Sequence, residues 1–202
     1  MTDRHHPTRI AIFASGTGSN AASIIEYFKG HQTIKVALVI SNREDAGVLD
    51  IAQQAGIPSR IVKKAAFADE DLVLATLDEF GIDFIALAGF LLLVPKYLIR
   101  RYPYRIVNIH PALLPKYGGK GMYGMHVHEA VKAAGEVESG MTIHFVNEQY
   151  DQGAIVLQRR TPIDPDDTAA DIARKVLKLE HAFYAPAIEG CIKIARLEDE
   201  EE

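Results

Sequence analysis

Asn108 and His110 stand two residues apart at the end of an apolar run, within VNIHPALLPKY over residues 107–117. In an extended strand such residues project to the same side. An asparagine can donate to a developing oxyanion and a histidine can carry a proton. Pro111 and Pro115 restrict the chain that follows, which favours a fixed pose. The competing reading is a strand-end histidine that bonds a carbonyl, and these two residues alone favour it.

Three other stretches could do chemistry. ASGTGSN (14–20) directly follows an apolar run. Glycines let the backbone approach an anion, and amides at a following helix start would point at it. Ser19 and Asn20 add side-chain donors. The stretch lacks the Gly-Lys-Ser/Thr ending of a P-loop and does not fit GxGxxG. On this loop alone, phosphate binding and a plain strand–helix turn stand equal. Tyr150-Asp151-Gln152-Gly153 offers a carboxylate, in a setting where Asp and Gly are common for local reasons. His126 and His128 in GMHVH are spaced as a metal pair could be, but no convincing set of further ligands accompanies them. His144 sits inside a strand pattern and reads as a core or supporting residue rather than a catalyst.

The elements that must position these residues follow from periodicity. RIAIFAS (9–15), IKVALVISN (34–42), SRIVK (59–63), DFIALAGF (83–90) and YRIVNIH (104–110) read as strands. Helices are expected over 19–29, about 47–55 and 69–80, the last with Leu72, Leu74, Leu77 and Phe80 on one side. MTIHFVN (141–147) and AIVLQRR (154–160) form a strand pair about a turn. A long helix closes the domain, capped by Asp166, Asp167 or Thr168, with Ile172, Val176, Leu179 and Phe183 as its stripe. Alternating strands and helices imply a mostly parallel twisted sheet with helices on both faces, a single three-layer α/β/α domain. Ligands in such sheets bind at the carboxyl ends of the strands, near the reversal of strand order.

Composition fits a globular protein: 202 residues, 48% apolar and 24% charged. No apolar run approaches the roughly 20 residues a bilayer span needs. The polar N-terminus lacks the apolar stretch of a signal peptide. The single cysteine, Cys191, excludes an internal disulfide framework. A cytoplasmic protein is expected. The net charge of −5 arises in the last five residues, Glu198 to Glu202, without which 22 acidic residues face 22 basic ones. A neutral body does not suggest a nucleic-acid surface. The expected organisation is a flexible stretch over 1–8, one domain over 9–197 and a disordered acidic tail over 198–202.

Taken together and in order, the motifs resemble one family. ASGTGSN, LAGFLLLVP (87–95), VNIHPALLPKY, GMHVHEAV (124–131), DQGAIVLQ (151–158) and LEHAFYAP (179–186) are similar to those of the folate-dependent glycinamide ribonucleotide formyltransferases of purine synthesis. The resemblance runs from about Ile10 to Gly190. It implies a Rossmann-like formyltransferase fold, with glycinamide ribonucleotide and 10-formyltetrahydrofolate as small-molecule substrates. It implies no metal, no nucleic-acid or membrane partner, and a monomer or homodimer. Gly18, Ser19 and Asn20 fall where the family holds the ribonucleotide phosphate. Glu180 matches an acidic contact to the same substrate. Leu91, Leu92, Leu93 and Val94 match the segment that binds the pterin, with Asn108 also in reach of the folate. Asn108, His110 and Asp151 match the catalytic trio.

The chain departs from the family pattern in three places. Leu92 stands where an arginine is familiar, and Ala68, Asp69 and Glu70 stand where another is common. The loop Gly118 to Tyr123 is longer than the family norm. Relatives that act on methionyl-tRNA carry an added C-terminal domain and need a basic surface, while those that hydrolyse formyltetrahydrofolate carry an N-terminal regulatory domain. A single neutral domain points away from both. A non-catalytic phosphosugar-binding module would explain the glycine loop but would not require Asn108, His110 and Asp151 together.

Overall fold

The computed structural model describes residues 6–201. Seven strands form one sheet in the order β3-β2-β1-β4-β5-β6-β7. Strands β1 (Thr8–Ala14), β2 (Ile34–Ser41), β3 (Ser59–Ile61), β4 (Phe84–Leu87) and β5 (Ile106–His110) are parallel. Strands β6 (Glu138–Phe145) and β7 (Ile155–Pro162) continue it antiparallel. The parallel strands are near-continuous apolar runs, as strands covered on both faces must be. From Ile10 to Ala14, β1 is fully buried.

Helices α1 (Ser19–Phe28), α2 (Val48–Gln54), α5 (Met125–Ala133) and α6 (Ala169–Glu201) contribute to the core on one face. Helices α3 (Glu70–Glu79) and α4 (Lys96–Arg101) pack on the other, with the chain after β4. Strand order reverses at β1 and β4, so a crevice opens beyond their carboxyl ends. The sheet and its layers are those the periodicity predicts.

Several boundaries differ. In α3 the buried residues are Val73 and Leu77, while Leu72 is 49% exposed, so the helix meets the sheet along a narrower line than its leucines suggest. Neither α4 nor α5 is foreseen from the sequence. The stretch 1–5 lies outside the described residues, and Thr8 already belongs to β1. The tail is not a disordered run from 198: α6 continues through Glu201, and Asp199 bonds to Arg105. Residue 202 lies outside the described residues. At its other end α6 starts on a reciprocal cap. The Thr168 hydroxyl accepts from the Asp171 N–H, and the Asp171 carboxylate accepts from the Thr168 N–H at 2.9 Å. Among the described residues no helix is long and apolar enough to cross a membrane.

Candidate active site

A cavity of about 1010 Å³ occupies the crevice. Its floor is the carboxyl end of β5, where Asn108 and His110 project together as their spacing requires. The chain after His110 is pinned from below. The Thr142 hydroxyl donates to the Ala112 carbonyl at 2.7 Å and accepts from the Leu114 N–H at 3.0 Å. Gln158 donates to the Leu114 carbonyl at 2.8 Å. The Leu114–Pro115 bond is cis. The segment turns back so that the Tyr117 carbonyl meets His110 Nε2 at 2.7 Å. A carbonyl can only accept, so Nε2 carries the ring proton when His110 is neutral. The bland reading of a carbonyl-bonded histidine is therefore correct for one ring nitrogen. The other, Nδ1, faces Asp151 Oδ2 at 3.6 Å.

Asp151 sits in the β6–β7 turn with φ 56°, which places its carboxylate under both histidines. The Gly119 N–H donates to Oδ2 at 2.8 Å. Close approach is possible only because Gly153 has no side chain: a Cβ there would lie 1.7 Å from the Phe145 carbonyl oxygen.

His144, read from sequence as a supporting residue, is a member of this cluster. Antiparallel pairing sets it opposite Asn108. Its Nδ1 meets the Phe145 carbonyl at 2.8 Å and so carries the proton. Its Nε2 then accepts from Asn108 Nδ2 at 3.1 Å and lies 3.5 Å from Asp151 Oδ1. His144 fixes which way the Asn108 amide points. Only the β5–β6 register reveals this, and sequence does not carry that register openly.

Burial decides the charge states. It pushes the His110 imidazole below its ordinary pKa, outweighing the upward pull of Asp151 and the Tyr117 carbonyl, with His144 adding to the fall. Asp151 favours the charged form of His110, but in the free protein a 4% exposed ring loses too much hydration for that pull to prevail. Burial also pushes the Asp151 carboxyl up. The neighbouring His144 ring, the charge of His110 and the Gly119 N–H together hold it below its usual range.

The other predicted residues take distinct places. Gly18 precedes α1 with φ 84°, and a Cβ there would lie 2.8 Å from the Val48 backbone, so the turn requires glycine. Asn20 and Thr17 line the cavity, whereas Gly18 and Ser19 lie just outside its lining. The Asn20 amide donates to Glu180 Oε2 at 2.7 Å, and its buried Oδ1 has no partner. Burial raises the pKa of Glu180, with the Asn20 bond opposing. One turn further along α6, the Tyr184 hydroxyl reaches the Leu87 carbonyl at 2.8 Å and the Val107 carbonyl at 3.1 Å. That contact sets Glu180 over the ends of β4 and β5. Leu91, Leu92, Leu93 and Val94 form an apolar wall, with Leu91 and Leu93 each more than 40% exposed. His126 lies outside the lining and His128 within it; among the described residues no cluster could hold a metal.

The model of the family described as Formyl transferase matches residues 8–188. The chain belongs to the formyl transferase family. Within that family it is 42% identical to the chloroplastic phosphoribosylglycinamide formyltransferase of Arabidopsis thaliana, over 91% of this chain and 66% of that protein. It is 44% identical to the corresponding protein of Vigna unguiculata, over 90% of this chain and 60% of the other. The chain thus spans under two thirds of the length of these two plant relatives. The phosphoribosylglycinamide formyltransferase of Haemophilus influenzae is 38% identical over 87% of this chain and 83% of its own. Among solved members, the enzyme of Bacillus halodurans superposes with a TM-score of 0.83 at 35% identity, covering 93% of this chain and 97% of its own.

Proposed function

We propose that this formyl transferase moves a formyl group from 10-formyltetrahydrofolate to the amine of glycinamide ribonucleotide, a step of purine synthesis. The observation that carries the reading is one cavity that joins Asn108, His110 and Asp151 to the N-terminus of α1. The free amides of that helix start, with Ser19 and the Gly18 turn, suit a phosphate. Glu180, which lines the cavity and accepts from Asn20 through one oxygen, suits a hydroxyl donor of the ribose. The apolar wall of Leu91 to Val94 suits a flat pterin ring.

The folate supplies the activated formyl group on N10. The residues then divide the work. Asn108, held by His144, donates an N–H to the formyl oxygen as charge develops there. Neutral His110 accepts the proton of the attacking amine at Nδ1, the nitrogen without a hydrogen. The resulting imidazolium donates to the Tyr117 carbonyl at one end and faces Asp151 at the other, so Asp151 stabilises the state that forms during transfer. His110 can then return the proton towards N10, through water, as that nitrogen departs. The direct test is an absorbance assay of folate deformylation in the presence of glycinamide ribonucleotide, with the formylated product identified by mass. Deformylation that proceeds without the ribonucleotide would mean hydrolysis instead.

A further inference from the structure

The cavity proposed for two anionic ligands has one fixed cation. Among the described residues, Lys120 is the only lysine or arginine in its lining. The nearby Lys116 is bound to Glu136 at 2.8 Å, whereas Lys120 has no ion-pair partner among the described residues. Two carboxylates, Asp151 and Glu180, share the same lining. A phosphate entering here therefore meets more fixed negative than positive charge, apart from what Lys120 and helix amides offer.

Lys120 is presented by a defined turn. The Met122 N–H closes onto the Gly119 carbonyl at 3.1 Å. Gly121, at the third position of this turn, has φ 91°, the left-handed value that a type II turn needs there. The Gly119 N–H is tied to Asp151, so the turn is anchored at the catalytic carboxylate. Residues 118–123 are the stretch that the family resemblance leads one to expect to be longer than in its relatives.

The fold decides which ligand lies on Lys120's side. The turn leads into α5, and α5 and α1 both pack on α6. All three contribute to the same core face. The α1 start and Glu180 of α6, the proposed ribonucleotide side, lie on that face. The Leu91–Val94 wall leads to the opposite one, where Val94 is buried with α3 and α4.

We propose that Lys120 is a specificity-determining residue that reaches from the 119–122 turn to the phosphate of the ribonucleotide. The inference rests on the ribonucleotide reading of the site. It supplies the long-range charge that the helix start lacks, and it makes the extended loop a recognition element rather than a spacer.

The test compares Lys120→Met and Lys120→Arg with the parent. Lys120 is exposed, so both variants should fold, which thermal melting verifies. A charge-assisted contact to phosphate predicts about a 10- to 100-fold rise in KM for the ribonucleotide in Lys120→Met, with kcat and the folate KM nearly unchanged. Lys120→Arg should keep more of the affinity. Calorimetric titration without folate should show the same loss for the ribonucleotide and none for the dephosphorylated nucleoside. A Lys120→Met variant with parental ribonucleotide affinity overturns the proposal. So does a rise confined to the folate KM, which would assign the lysine to the folate carboxylates. A parent that binds no ribonucleotide overturns the site reading itself, and that result is visible before any variant is made.

Discussion

Asp151 Oδ2 stands 3.6 Å from His110 Nδ1, on the side of the ring opposite the Tyr117 carbonyl. That distance is too long for a hydrogen bond and short enough for strong charge coupling. The carboxylate therefore acts on the protonated ring more than on the neutral one. Asp151→Asn removes the charge and keeps the size. Burial already lowers the His110 pKa and Asp151 opposes it, so the variant's pKa should fall further. An NMR titration of labelled His110 reports this, and identical pKa values in parent and variant would remove Asp151 as its partner.

The same burial links His110 to stability. Its folded pKa lies below the ordinary value, so the unfolded chain binds the proton first as pH falls. The stabilising contribution is present above about pH 6.5 and is lost as pH falls through the folded pKa. Asp151, also depressed, adds a loss in the same direction at lower pH, below the ordinary carboxylate range. Urea midpoints measured from pH 7 downwards should decline, and the first part of the decline should shrink in His110→Asn. An unchanged slope in that variant would contradict the assignment.

His144 acts through Asn108. Loss of its ring leaves the amide free to turn, and misplacement of this kind costs about 10- to 100-fold in turnover. In the Asn108→Ala background, His144→Ala should cost little more, since the group it orients is gone. Full additivity of the two losses would show that His144 does something else.

Gly153 lets the β6–β7 turn close. A methyl group at this position meets the Phe145 carbonyl, so Gly153→Ala should destabilise the fold by about 1–3 kcal/mol. Turnover should fall as well, because Asp151 lies two residues away. Denaturant midpoints and kcat measured together test this, and parental values for both would show that the turn yields freely.

Much of this was readable from the residues. The run from Ile10 to Ala14 can only be a strand covered on both faces, and Asn108 and His110 share a side because strands alternate. What escaped the sequence depends on register or on competition between energies. His144 joins the site through the pairing of β5 with β6, which no local pattern states. The charge of His110 depends on burial against a nearby carboxylate, two terms of opposite sign whose balance needs coordinates. The tail reads as a solvated acidic run, yet a preceding helix and the Arg105–Asp199 pair carry order through it.

In the proposed reaction His110 moves a proton during formyl transfer. The variant His110→Ala, assayed for turnover and titrated separately with each ligand, isolates that role. Its kcat should fall by about 10²–10⁴ with both dissociation constants close to the parent's. Turnover near the parent's value, in a folded variant that binds both ligands, would contradict it.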